Sequence, residues 1–310
     1  MKRRAFMQAA LATPFIAGLP ALRFAVAAPK GEDWRTFELS TKLEITNPSG
    51  ASRAWVPLPY TAKTSWHKPL SNTWTGNGRM SVITEPKYCM EMLYVEWQKN
   101  EKAPVLEVIS RFATRNRAVD FSKPNPNAIS LSQAEMTLYT EPTELIPTDG
   151  IVRETAHDII RHARTDIEKA HAIYAARDIY GIRVAPSQLG YKSLGLGSAN
   201  ASKGQHCRAE FFAQGIGWVP VDPADVRKVV LEEPPGNLPI NDPKVVAMRK
   251  KLFGAWEMNW LAYNTAHDVT LPNSRTKIAY FMYPNGETGG KVLNQLDPDT
   301  FKYTITTQQY

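Results

Sequence analysis

Between residues 34 and about 121, apolar and polar side chains alternate over short runs: FELSTKLEI, SRAWVPLPY, MSVIT, CMEMLYVEW and VLEVISRFAT. A period of two marks strands with one buried face. Asn47-Pro48-Ser49-Gly50 and Thr75-Gly76-Asn77-Gly78 supply turns between them. The stretch predicts an antiparallel β-domain, sandwich-like in architecture. Trp55, Trp66, Trp74 and Trp97 are assigned to its core rather than to ligand contact. Residues 122–147 read as a Pro- and Ser-spotted connector. The period then changes to that of a helix. After Asp149-Gly150, Ile151, Ala156, Ile159, Ile160 and Ala163 form an apolar stripe. A second helix is predicted over 166–174. His157, His162 and His171 on these helices lack metal-ligand spacing and read as solvated.

DIEKAHAIY then runs almost directly into AARDIYGIRVAPS, an alternating strand. Residues 188–204 are rich in Gly and Ser but have neither phosphate-loop nor nucleophile-elbow spacing. They read as a mobile loop rimming a cleft beside His206. QHCRAEFFAQGIGWVPVDPAD reads as two strands around a tight turn at Ala213-Gln214-Gly215. In that register His206 faces Asp222, Cys207 faces Val221, Ala209 faces Val219, Glu210 faces Trp218 and Phe212 faces Ile216. His206, Arg208, Glu210, Trp218 and Asp222 share one face; Cys207, Ala209, Phe211, Val219 and Val221 share the other. A carboxylate holding an imidazole in one tautomer is the base-and-orienter half of a nucleophilic triad. Further on, VRKVVLEEPPGNLPI reads as a strand or short helix before a Pro-rich turn. A helix is expected over 242–256, with Asp242 as N-cap and Pro243 at its first position. KIAYFMYP and FKYTITTQ read as closing strands. His267-Asp268 are neighbours that diverge, and no chemistry is expected of them.

The formal net charge is +7, and 43% of residues are hydrophobic. Residues 1–27 hold Lys2, Arg3, Arg4 and Arg23 and no acid, so without these four charges +7 becomes +3. Paired arginines, a mildly apolar run and a small-residue site at Ala25-Val26-Ala27 resemble a twin-arginine export signal. The reading is a signal peptide over 1–27, cleaved before Ala28, and a periplasmic or exported product. The run is too weak and Pro-broken for a stable membrane span. The remainder has no basic block interleaved with aromatics, so nucleic acid is not an expected partner. Cys89 and Cys207 fall in different predicted domains and are expected as unpaired, buried thiols.

QHCRAEFF followed by GWVPVDPAD resembles the His and Asp strands of the transglutaminase-like (papain-type thiol) superfamily, His-x-x-x-Glu then Gly-Trp-x-x-x-Asp-Pro. The specific part of the resemblance covers about 149–225. It implies His206 as general base and Asp222 as its orienter, with Arg208, Glu210 and Trp218 shaping the cleft. In that family the nucleophilic Cys opens a core helix ahead of the strand that precedes the His strand. Cys89 lies far upstream, and Cys207 is next to the His on the opposite face, so neither fits. The Cys-bearing segment therefore reads as deleted near 174–176. The expected fold class is α+β: an N-terminal antiparallel β-sandwich-like domain over 28–146, then a truncated transglutaminase-like (papain-type) α+β domain over 147–310. The implied function is an envelope protein of this family, catalytically impaired as written. The alternative is an active thiol amidase, peptidase or acyl transferase working on peptide amides through a Cys-His-Asp triad. The implied partner is a peptide or protein amide substrate, or a peptide or glycan ligand. Self-association is expected through the apolar face that the missing helix would uncover. No cofactor or metal is implied, since His206 and Asp222 alone are too few ligands.

Overall fold

Alternation in β1 (Arg35–Ile45) buries Phe37, Leu39, Thr41, Leu43 and Ile45 and leaves the intervening residues partly or fully accessible. The structure is a computed structural model describing residues 34–123, 127, 130–165, 167–168 and 177–310. The expected leader over 1–27, most of the helix expected over 166–174 with its His171, and the join at 174–176 lie outside the described residues. After β1 come β2 (Ser52–Pro57), β3 (His67–Gly76), β4 (Arg79–Glu85), β5 (Met90–Trp97), β6 (Val105–Thr114) and the short β7 (Arg117–Ala118). The expected strands are all present, and β3 is an addition.

Helix α1 (Gln133–Thr140) opens with a reciprocal cap: the Glu135 N–H donates to Ser132 Oγ, and the Ser132 N–H to Glu135. Helix α2 (Gly150–Ile160) comes next. Of its expected apolar stripe, Ile151 is 67% exposed, whereas Ala156 and Ile160 are half-buried along a cavity that Leu138, Tyr139 and Ile146 also line. Beyond it lie β8 (Arg177–Arg183), β9 (Arg208–Ala213), β10 (Gly217–Val221), α3 (Pro223–Glu232) and α4 (Pro243–Lys251). VRKVVLEE is helical because Asp222 caps it and Pro223 takes the first position. Helix α4 begins at the expected cap, Asp242, but stops at Lys251. The chain then turns so that β11 (Ala255–Trp256) pairs with β7. The remaining strands are β12 (Trp260–Asn264), β13 (His267–Thr270), β14 (Lys277–Tyr280), β15 (Asn285–Thr288), β16 (Lys291–Val292) and β17 (Phe301–Gln309).

Strand order is β17-β1-β6-β3 in one sheet and β16-β15-β2-β5-β4 in a second, all antiparallel. Leu43, Ile45, Ala54, Val56, Leu93, Val95, Trp97, Leu106, Val108 and Phe301 come from both and form the core between them. Of the two segments read as closing the second unit, FKYTITTQ lies in β17 and joins the sandwich beside β1, whereas KIAYFMYP supplies β14, paired with β13. A third sheet, β10-β9-β8-β12, carries the site. Its Ile182, Val184, Leu261 and Tyr263 pack on Phe37, Leu39, Phe112 and Ile305, so the sandwich and this sheet share apolar core. Mixed helices and antiparallel sheets make the fold α+β.

Candidate functional site

The β9–β10 hairpin turns through three residues, Gln214-Gly215-Ile216, with the Ile216 N–H donating to Ala213 O at 3.0 Å. Gly215 and Gly217 take φ of +77° and +92°, which a side chain would oppose. Gly217 pairs with Ala213, Trp218 with Phe212, Val219 with Phe211, Pro220 with Glu210 and Val221 with Ala209. Each β10 partner lies two residues beyond the expected one. A two-residue shift keeps the parity, so the faces are those anticipated although the pairs are not.

His206 and Asp222 do meet, but just outside the ladder. The His206 N–H donates to Gly181 O of β8 at 3.0 Å, and Asp222 is the residue that ends β10 and caps α3. Asp222 Oδ1 accepts the Asp225 N–H at 2.9 Å. Its Oδ2 lies 3.0 Å from His206 Nε2 and 2.9 Å from Arg208 Nε. Asp225 Oδ1 stands 3.5 Å from the same ring nitrogen and is paired with Arg183. Arg183 also donates to Leu194 O, while Arg208 donates to Glu257 O at 2.6 Å and to Asn259 Oδ1 at 3.3 Å. The Trp260 indole donates to His206 O at 2.8 Å. Asp222 is fully buried and His206 7% exposed.

Two guanidiniums, Arg183 and Arg208, and two carboxyl groups, Asp222 and Asp225, surround the imidazole. An Nε2–H directed at Asp222 would make Nδ1 the acceptor nitrogen. That is the geometry of a base held by an orienter. Burial alone would raise the Asp222 carboxyl. The His206 ring, the Arg208 guanidinium and the Asp225 amide outweigh it and hold the group below the usual carboxylate range. Asp225, buried and beside the Asp222 charge, is raised.

Among the described residues, neither cysteine is paired with this imidazole. Burial, with Asp178 and Asp222 nearby, pushes the Cys207 thiol up to about 11, so it is protonated at neutral pH. Cys89 was expected buried in a strand; it is exposed in the turn between β4 and β5, with φ of +53°. Both thiols are free.

Arg208 and Glu210 were read as shaping the cleft or salt-bridging at its rim; both do form ion pairs, but buried ones rather than at a rim. Arg208 is the Asp222 partner just described. Glu210 is held by Arg117 through Oε1 and by Arg177 through Oε2, the latter at 2.7 and 2.9 Å. Burial would raise its carboxyl, and the two arginines overcome this and lower it. Trp218 stays partly accessible, with the Arg177 guanidinium 3.8 Å from its ring centroid and Tyr139 against its edge. The segment 188–204, read as a mobile rim, is partly exposed but anchored at several points. Leu194 and Ala201 are fully buried, and Ala201 and Ala199 bond to Ile305 and Thr307 of β17. Arg183, Asp225, Glu257 and Asn259 are site residues that sequence reasoning missed. A signal existed for Asp225, which comes after the Asp222-Pro223 cap in DPAD at the third helical position; the others come from distant segments with no local pattern.

His206, Asp222 and Asp225 also place three potential metal-ligand atoms within 4.8 Å of one another. The set does not suit a dication, because Arg183 and Arg208 already hold the two carboxylates and would repel one.

No protein-family model matches the chain. A solved structure from Cytophaga hutchinsonii, described as that of a candidate cysteine protease, superposes with a TM-score of 0.48 at 7% identity, covering 90% of this chain and 91% of that one. That resemblance is too slight to assign a fold. An uncharacterized protein of Haemophilus influenzae is 30% identical over 347 aligned positions, taking in 89% of this chain and 92% of that protein. The alignment is longer than the 310 residues available here, so the relative carries residues that this chain lacks. Identity and coverage at this level place the chain in the family of that Haemophilus influenzae protein.

Proposed function

We propose that this is a transglutaminase-like protein of the cell envelope that keeps the base and orienter of a thiol triad and lacks the nucleophile. The observation that carries the reading is the His206–Asp222 pair, held at 3.0 Å, to which neither of the two cysteines presents its sulfur. In a complete site a thiolate attacks an amide carbonyl, and the imidazole first takes the thiol proton and later protonates the leaving amine. Here His206 has its acceptor nitrogen and its orienter but no thiol to deprotonate. A family member longer than this chain is in keeping with a lost segment. The role left to the protein is binding of a peptide or glycan, after export directed by residues 1–27.

The test combines turnover with thiol labelling. Peptide amide hydrolysis by the purified chain and by His206→Ala is expected to be equal and at background. Iodoacetamide is expected to label Cys89 as an ordinary exposed thiol and Cys207 slowly, with neither rate changed by His206→Ala. Any hydrolysis that depends on His206 overturns the proposal. The second reading, an active thiol amidase, peptidase or acyl transferase, is favoured by the intact His206–Asp222–Arg208 geometry. It requires a thiol-bearing segment absent from this sequence. The intact mass of the protein in the source cell's envelope decides: a mass well above that of residues 28–310 supports the second reading and sinks the first.

A further inference from the structure

Helix α4 turns apolar side chains outward where a solvated helix carries polar ones. At about 100° per residue, Val245 and Met248 point into the core they form with Leu194, Val229, Leu238 and Leu252. The line opposite them is Pro243, Val246, Ala247 and Lys250. Val246 is 48% exposed, and Ile240, at 64%, sits alongside, its carbonyl accepting from Arg249 at 3.4 Å. Lys244, Lys250 and Lys251 are exposed around this ridge, and α4 contains no acid.

The basic last turn, Arg249 to Lys251, suits the helix dipole. Lys244 in the first turn, where the dipole disfavours a cation, donates to Pro234 O at 3.3 Å while remaining exposed; neither the dipole nor that bond accounts for the exposed Val246 and Ile240. Neighbouring acids are occupied. Asp242 caps α4 through the Lys244 N–H, Glu233 accepts from Ser193, and Glu232 stands 3.7 Å from Lys228. Exposed apolar side chains among cations, on a helix without an acid, complement an anionic surface. No helix among the described residues is long and apolar enough to cross a membrane, so the fit is to a surface.

We propose that α4 with Ile240 is a docking face for an anionic phospholipid surface. The Val246–Ile240 ridge enters the headgroup boundary, and Lys244, Lys250 and Lys251 meet the phosphates. The face is separate from the His206 cluster, so this inference stands apart from the proposed function.

Co-sedimentation of the full chain with phosphatidylglycerol–phosphatidylcholine vesicles, compared with phosphatidylcholine alone, tests it. Every variant carries residues 1–27, so any leader contribution cancels between them. Binding is expected on anionic vesicles, weakening with salt. The surface double variant K250E/K251E is expected to lower affinity by about tenfold or more. I240S/V246S is also expected to weaken binding, with circular dichroism unchanged in both variants. Three results overturn the proposal: no binding, equal binding to neutral vesicles, or binding to heparin and vesicles alike that ignores I240S/V246S. The last would mark a simple polyanion site.

Discussion

Asp222 serves three partners with two oxygens: Oδ1 caps α3, and Oδ2 faces both His206 and Arg208. Replacing it with Asn keeps a cap acceptor but leaves the Arg208 charge buried without its counter-charge. A half-broken buried pair costs about 3–5 kcal/mol, and urea denaturation of Asp222→Asn is expected to show a loss of that size. The pH dependence arises from the same charges. Asp222 and Glu210 are held below the usual carboxylate range, so their contribution is complete above an unfolded pKa of about 4. It drains as pH falls below that value toward their folded pKa values. Asp225 and Asp178 are raised, so their ionised forms cost stability, a cost relieved as pH falls through their higher folded pKa values. Denaturation midpoints measured between neutral pH and about pH 3 are expected to fall most steeply below about pH 4, and less steeply in Asp222→Asn. A slope unchanged by the substitution would remove Asp222 from this account. His206 and Asp222 were legible because one short hairpin brings them together. Arg183, Glu257 and Asn259 were not, since their charges and amides converge only when β8, β9 and β12 are assembled.

The strands were readable wherever one face is buried, because burial imposes a period of two. Strand β3 escaped because HKPLSNTWTG has little alternation, and Pro69 sits at a register shift against β6. Hairpin register was missed by two residues because parity constrains faces, whereas loop conformation sets pairs, and the loop needed two positive-φ glycines. Gly181 makes a sharper demand. A Cβ there would meet Leu261 O at 2.1 Å and the Trp260 ring at 2.5 Å, forcing β8 away from β12. Gly181→Ala is expected to destabilise by about 1–3 kcal/mol or more. Because Gly181 O also takes the His206 N–H, the His206 imidazole resonances are expected to shift in the same variant. A stable variant with unmoved resonances would contradict that close packing.

At the scale of the whole molecule, the α+β class was evident from the change of period, but strand return was not. Which strand pairs with β1 depends on contacts between opposite ends of the described chain, such as Phe37 with Gln309, and no local pattern announces them. Strand β17 contributes Phe301 to the sandwich core and Ile305 to the core shared with the third sheet. Removing residues 301–310 is therefore expected to abolish the cooperative thermal transition rather than trim an end. A truncated chain that melts cooperatively near the parent temperature would refute this.

The pairing of the first described strand with the last, from Phe37–Gln309 to Ile45–Phe301, also sets a timetable. The sandwich cannot close until β17 has been made, because β17 is the edge partner of β1. Until then β1 offers an unpaired backbone edge to any neighbouring strand, and the long-range closure is slow. Chains in which β17 has not yet docked therefore expose that edge to one another, and such species are the aggregation-prone ones.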